Sequence, residues 1–301
     1  MPLPEAYLDY PRRRQGSDQD RYPWALADGR TRREWPGGAA VAAMIVVPIE
    51  HHPLNPSGKP FKHPGAMQTP YPDLRHYTTR DYGSRVGAFR ILDALAAAGL
   101  KAVFPINAVM LDRAPPLIDA IRESGHEVAA YGWSTDAIHW SGLEEEAERA
   151  LVARTRARFS QAQLEPVTWM SPARQQSFRT LDLIAAEGFT VCLDWEPDEV
   201  PIAMQTASGS LTAVPLYNEL DDRTLLVDRR QSEDEWADQV LEAARYLTEG
   251  ADRYGGRVLS FTLTPYVAGL PFRMAALRRI LGGLAAAPAV WNATAAELAT
   301  A

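Results

Sequence analysis

The stretch Gly125-His126-Glu127-Val128-Ala129-Ala130-Tyr131-Gly132-Trp133-Ser134-Thr135-Asp136 decides how this chain is expected to fold. Its apolar centre follows a segment with helical spacing and opens into a polar loop. A short buried strand between a helix and a loop is the repeating unit of parallel α/β folds. Those folds place their chemistry at the carboxyl ends of the strands.

The same unit recurs outward from that stretch. On its amino-terminal side, Ala39 to Ile49 is a continuous apolar run ending in Glu50-His51-His52. Such a run fits a strand buried on both faces. Residues 53–80 hold six prolines, together with His63 and His76, and show no period, which predicts a long loop of the lid or binding type. A helix is predicted from Asp81 to Gly99, with apolar positions at helical spacing, then a strand over Ala102 to Ile106 and a helix over Pro115 to Ser124.

On the carboxyl side, Gly142 to Gln161 reads as a helix with a solvated outer face, acidic early and basic late, as the helix dipole prefers. Strands are predicted at Val167 to Met170, Thr190 to Leu193, Leu211 to Leu216 and Arg257 to Leu263, with a last short one at Val290-Trp291. The helices between them are predicted at Ser177 to Glu187, capped by Ser177, at Ser232 to Arg253 and at Pro271 to Ala286. About seven strand–helix units predict a single α/β domain, a parallel barrel over residues 39–301, with an extended arm over residues 1–38. In that arm Tyr22, Trp24 and Trp35 are the residues to bury. A doubly wound sheet is the alternative, without the glycine-rich loops of nucleotide-binding versions.

Composition narrows the function classes. The 301 residues are 46% hydrophobic and 23% charged, with a net charge of −7 from interspersed charges. That gives no electrostatic footprint for nucleic acid or an anionic membrane. The single cysteine, Cys192, excludes an internal disulfide and a thiolate cluster, fits a reducing compartment, and reads as a small core residue. No apolar run approaches the roughly 20 residues of a membrane span. The first residues lack a basic segment followed by an apolar one, so a cytoplasmic protein is expected.

If the strand ends converge on one face, they bring together Glu50 with His51, Tyr131 with Thr135, Arg174, Asp194 and Thr264. Asn218, Asp221 and Asp222 follow another strand. Trp133, Trp169, Trp195 and Tyr266 are interleaved, and an acidic, aromatic mouth suits a small organic ligand. Each residue also has a plain structural reading. Asp194 could tie loops through backbone N–H groups, Arg85 and Arg273 could be structural ion-pair partners, and His126 could pack behind its strand.

These segments resemble the polysaccharide deacetylase superfamily, the carbohydrate esterase family 4 fold, in its allantoinase-like and cyclic-imide-hydrolase-like branch. The resemblance spans roughly residues 20–300. It rests on Asp81-Tyr82-Gly83-Ser84-Arg85-Val86-Gly87, on Gly125-His126-Glu127-Val128-Ala129 with Gly132-Trp133, and on Cys192-Leu193-Asp194-Trp195. Leu263-x-Pro265 with Gly269-x-Pro271-x-Arg273, and Val290-Trp291-Asn292-Ala293-Thr294, complete it in the same order. It implies a distorted (β/α)7 barrel that hydrolyses non-peptide C–N bonds, usually through one divalent metal. In that pattern an acidic residue after the first strand and two histidines at i, i+4 after the third hold the metal. Glu50 matches the acidic position, whereas Tyr131 and Thr135 fall on the histidine positions and Thr264 falls on a further catalytic histidine.

The expectation is a small-molecule hydrolase with no family-type metal and no cofactor. Glu50, His51 and Tyr131 would be catalytic. Trp133, Thr135, Trp169, Arg174, Asp194, Trp195 and Thr264 would bind substrate. Glu50 would be a general base with a raised pKa, and Arg174 would hold a substrate anion. A homo-oligomer is expected, as for relatives. A non-hydrolytic enzyme, or a ligand-binding protein without catalysis, is the alternative.

Overall fold

The computed structural model describes residues 19, 21–23, 25–27, 31–57, 70 and 72–301. Trp24, most of the amino-terminal arm, and His63 of the proline-rich loop lie outside the described residues. No helix among the described residues is long and apolar enough to cross a membrane.

Seven parallel strands lie side by side in a curled sheet. They are β1 (Val41–Val46), β2 (Val103–Ile106), β3 (Glu127–Ala130), β4 (Thr168–Trp169), β5 (Val191–Cys192), β7 (Leu211–Ala213) and β8 (Arg257–Thr262). Their order is β7-β5-β4-β3-β2-β1-β8, so sequence neighbours are spatial neighbours and the chain winds once around a barrel. The short strand β6 (Ile202–Met204) pairs antiparallel with β7. A further strand, β9 (Val290–Asn292), pairs with the first half of β1, on the edge where β2 takes over at Val46.

Alternation along the strands sorts their side chains into two layers. Ala42, Met44 and Val46 point inward and pack with Tyr131, Met170, Leu193, Leu216 and Val258 in a barrel interior. Val41, Ile45, Val47 and Ile49 point outward, in the larger layer beneath the helices. The helices that cover the sheet include α1 (Leu74–Tyr82), α2 (Ala88–Ala98), α3 (Met110–Arg113), α4 (Pro115–Glu123), α5 (Glu145–Gln161), α6 (Thr180–Ala186), α7 (Glu233–Glu249), α8 (Ala251–Tyr254) and α9 (Met274–Ala286). A short terminal helix, α10 (Ala295–Thr300), ends the chain.

Several local expectations are corrected. The loop predicted up to residue 80 ends earlier, because Asp73 caps α1 by accepting from the His76 N–H. The α1–α2 path runs through a π-helical turn, Gly83–Gly87. Ser177 does not cap α6, which begins at Thr180; its hydroxyl donates instead to Glu148 at 2.7 Å. The outer face of α5 is exposed as expected at Glu144, Glu145, Glu146 and Arg154, while its inward face buries a charge, that same Glu148, beside Val152, Thr155 and Phe159 and bonded to His139 and Thr180.

The sheet is not hydrogen-bonded around its full circumference. Between β7 and β8, side chains replace the ladder: Ser260 Oγ accepts from the Tyr217 N–H at 3.1 Å, Asp221 from Thr262 at 2.7 Å, and Asp222 from Thr264 at 2.8 Å. Buried backbone donors need partners, so these carboxyls close the seam that strand pairing leaves open.

Candidate active site

At the carboxyl ends of the strands the interior opens into a cavity of about 320 Å³. Alternation carries β1 past Val46 through Pro48 to Glu50, and both line the cavity. Tyr131, one step beyond Ala129 on the inward face of β3, lines it opposite. Thr262, Thr264 and Tyr266 descend from β8 in the same parity.

A buried asparagine sets the distance across this floor. Asn107, directly after β2, accepts from the His51 N–H at 2.8 Å and donates to the Tyr131 carbonyl. Thr135 donates through its N–H and hydroxyl to the His51 carbonyl, at 3.2 and 2.8 Å. The chain after β1 is thereby bolted to the chain after β3. Glu50 Oε1 then accepts from the Tyr131 hydroxyl at 3.4 Å, and Glu50 Oε2 lies 3.2 Å from His52 Nε2.

The electrostatics correct the raised pKa expected of Glu50. Burial does push it up, but His52, Arg223 and Arg80 together outweigh burial and hold the carboxyl below its ordinary value. Glu50 is therefore a carboxylate at neutral pH. Burial and the adjacent Glu50 charge push the Tyr131 phenol well up, so it stays a neutral donor.

The rim is built differently. Ala173 and Arg174 both adopt left-handed backbone, at φ 58° and 51°, which side-chain-bearing residues rarely do. This places Arg174 at the cavity edge, donating to Asn218 Oδ1 at 2.9 Å and to Glu196 Oε2 at 3.0 Å. Across the seam, burial pushes Asp221, on the cavity wall, up to about 7. Burial and the Asp221 charge push Asp222, behind the wall, up to about 8.

Of the residues given a catalytic or substrate-binding role from the sequence, Glu50, Tyr131, Thr135, Arg174 and Thr264 come together on this cavity, with Asn218, Asp221 and Tyr266 of the expected mouth beside them. Five do not line it. The His51 side chain has the opposite parity to Glu50 and faces a small recess with Tyr77 and Arg113; burial pushes its pKa down to about 4. Trp169 is fully buried on the outward face of β4 and bonds Ser171. Trp133 lies beneath the Arg154 guanidinium, 3.4 Å from the ring centroid. Asp194 accepts from the Ser171 N–H at 2.8 Å and from the Gln176 amide at 2.5 Å, so it ties loops. Trp195 bonds Gln176 at 2.7 Å and packs edge-on against Tyr22.

Arg85 and Arg273 do form ion pairs, with Asp81 and Glu233, and His126 accepts from the Ala102 N–H. Sequence reading missed Asn107, Arg223, Thr224 and Asp228, and chose His51 where His52 meets Glu50.

The donor chemistry does not fit a family-type metal. Divalent metals of this class take imidazole, thiolate or carboxylate donors. Beside Glu50 stand the His52 ring, 3.2 Å from Oε2, the neutral Tyr131 hydroxyl, and Thr135, whose hydroxyl is committed to the His51 carbonyl. Among the described residues no three His, Cys, Asp or Glu side chains gather as a metal site.

Residues 70–191 match the family model for polysaccharide deacetylase. No curated protein matches the chain. Among solved structures, the Puue allantoinase superposes with a TM-score of 0.81 at 21% identity, covering 93% of this chain and 96% of the other. A probable polysaccharide deacetylase from Pseudomonas aeruginosa PAO1 gives 0.80 at 22% identity, covering 93% and 97%. A polysaccharide deacetylase candidate from Mycobacterium smegmatis gives 0.73 at 22%, covering 90% and 93%. Residues 70–191 therefore match the polysaccharide deacetylase family model, within a chain that shares its fold with these deacetylase and allantoinase structures over 93% of its length.

Proposed function

We propose that this chain is a hydrolase of a small molecule, opening a non-peptide C–N bond of a cyclic amide, imide or ureide, or the C–O bond of a lactone, without a family-type metal. The observation that carries the reading is the ionised Glu50 facing the neutral Tyr131 hydroxyl at 3.4 Å in an inward-facing cavity. The likeness to allantoinase and deacetylase structures supports the reaction class by analogy of fold. The neutral hydroxyls of Tyr131 and Thr135 beside Glu50, poor ligands for such an ion, support the metal-free part.

In this mechanism Glu50 takes a proton from water as the water oxygen bonds to the substrate carbonyl carbon. The Tyr131 hydroxyl, held by Glu50 only through a long hydrogen bond, turns to donate to the oxyanion. As the tetrahedral adduct collapses, the C–N or C–O bond breaks, and protonated Glu50 returns its proton to the leaving nitrogen or oxygen. Thr264 and Thr135 shape the wall. A carboxylate held below its usual pKa is fully ionised but weakly basic, so turnover is expected to be slow.

The test is ring opening of a panel of hydantoins, imides and lactones by wild type, with and without chelator, and by Glu50→Gln. Activity is expected to survive the chelator and to fall about 10²- to 10⁴-fold in the variant, with its melting temperature retained. Stoichiometric zinc or nickel, with activity lost to chelator, would overturn the metal-free part. Undiminished turnover by Glu50→Gln would remove Glu50 as the base.

A further inference from the structure

Among the described residues, one cation of the cavity acts on Glu50 only through space and has no direct partner. Arg223 lines the wall at the start of a π-helical turn, Arg223–Asp228, that follows the seam carboxyls. The Arg223 guanidinium is half-buried, and among the described residues it makes no hydrogen bond and no ion pair.

The other cavity arginine differs. Arg174 is neutralised by Glu196 and bonded to Asn218. Carboxylates are available to Arg223, since Asp221 and Asp228 line the same cavity, yet neither pairs with it. Asp221 spends its carboxyl on the Thr262 N–H. A guanidinium with five donors, partly removed from water and unpaired, is arranged for a planar anion.

The geometry points to a substrate that carries a carboxylate beside its scissile carbonyl, with Arg223 as the residue that selects it. This rests on the hydrolase reading of the same cavity and names the substrate class within it. Arg223 lies near enough to Glu50 to act on its charge, and Glu50 and Tyr131 lie on the same cavity floor. A substrate anion on Arg223 therefore fixes one end of the molecule and leaves the carbonyl to the Glu50–Tyr131 pair. Arg174 then belongs to the rim and not to the anion, which revises the role expected of it from sequence.

The experiment uses a matched pair of probes of equal size, hydantoin-5-acetate and neutral hydantoin-5-acetamide. Binding to wild type, Arg223→Gln, Arg223→Lys and Arg174→Gln is measured by calorimetry, and ring opening is followed separately. Wild type is expected to bind the carboxylate at least about tenfold more tightly than the amide. That preference vanishes in Arg223→Gln, is partly kept in Arg223→Lys and persists in Arg174→Gln. Equal binding of the two probes by wild type, or no saturable binding of either, overturns the proposal without any variant. A preference that disappears only in Arg174→Gln overturns it in favour of the rim. Arg223-dependent binding without ring opening keeps the carboxylate site and counts against hydrolysis of hydantoins. Ring opening indifferent to Arg223 does the reverse.

Discussion

At the residue scale, the most consequential pair is Asp221 and Asp222. Their carboxyls accept from Thr262 and Thr264 across the open seam, and Asp222 also accepts from Ala268 at 3.0 Å. Among the described residues Asp222 Oδ1 is buried with no hydrogen-bond partner, which is the place for a proton. Both are acids whose pKa in the folded chain lies above that of the unfolded chain. Their stabilising effect is fully present below the ordinary aspartate value of 3.8 and is lost as pH rises through about 7 and about 8. Two adjacent buried charges then form on the seam. Asp222→Asn keeps the acceptor and puts an N–H₂ where the proton sits. The variant is expected to match wild type in melting temperature at acidic pH and to exceed it at alkaline pH. The measurement is melting temperature against pH for both proteins; an unchanged difference at every pH would sink the assignment.

At the scale of elements, the β8 end is set by an approach that only glycine permits. The π-turn Gly83–Gly87 presses its backbone against the chain after β8. A Cβ on Gly87 would lie 2.0 Å from the Pro265 carbonyl oxygen, and one on Gly83 would lie 2.8 Å from the Tyr266 nitrogen. The segment pushed aside carries Thr264 and Tyr266 on the cavity wall. Gly87→Ala is expected to cost about 1–3 kcal/mol in urea unfolding, as overpacking does, and to lower turnover more than a surface change of equal size. Wild-type stability in that variant would show that the turn can move freely.

The same scale explains what the sequence reveals. The apolar run ahead of Glu50 reveals the strand, but it is apolar on both faces, so it does not show which parity faces inward or separate His52 from His51. Trp169 and Asp194 lie off the cavity, and β4 and β5 are two residues long, too short for the sequence to show which way side chains at their ends point. Arg223 carries no such signal. It lies ten residues past Ala213, the end of β7, and a π-turn, which periodicity does not reveal, aims it. Asn107 had a faint one, a polar residue directly after an apolar strand.

At the scale of the whole molecule, the barrel has a mouth at one end and a plug at the other. Trp35, which is 2% exposed, packs into the barrel interior, donates from Nε1 to the Arg257 carbonyl at 3.2 Å, and meets Trp291 at a centroid distance of 6.0 Å. From the other terminus, Leu298 of α10 enters the same interior, and Glu127 at the start of β3 accepts from the Ala296 N–H at 3.0 Å. Trp35 and α10 thus seal the amino-terminal end of the strands. The cavity with Glu50 and Tyr131 opens at the carboxyl end, so closure and chemistry occupy opposite ends of one core. Separation of this kind predicts separable phenotypes. Trp35→Ala is expected to lose about 3–5 kcal/mol in urea unfolding, the cost of removing a fully packed indole. Its kcat and KM should stay near wild type at temperatures where it remains folded, because the change lies at the far end of the strands. A stability loss under about 1 kcal/mol would show that the plug does not close the core. A kcat loss in the folded variant would show that the bottom of the barrel sets the geometry of its mouth.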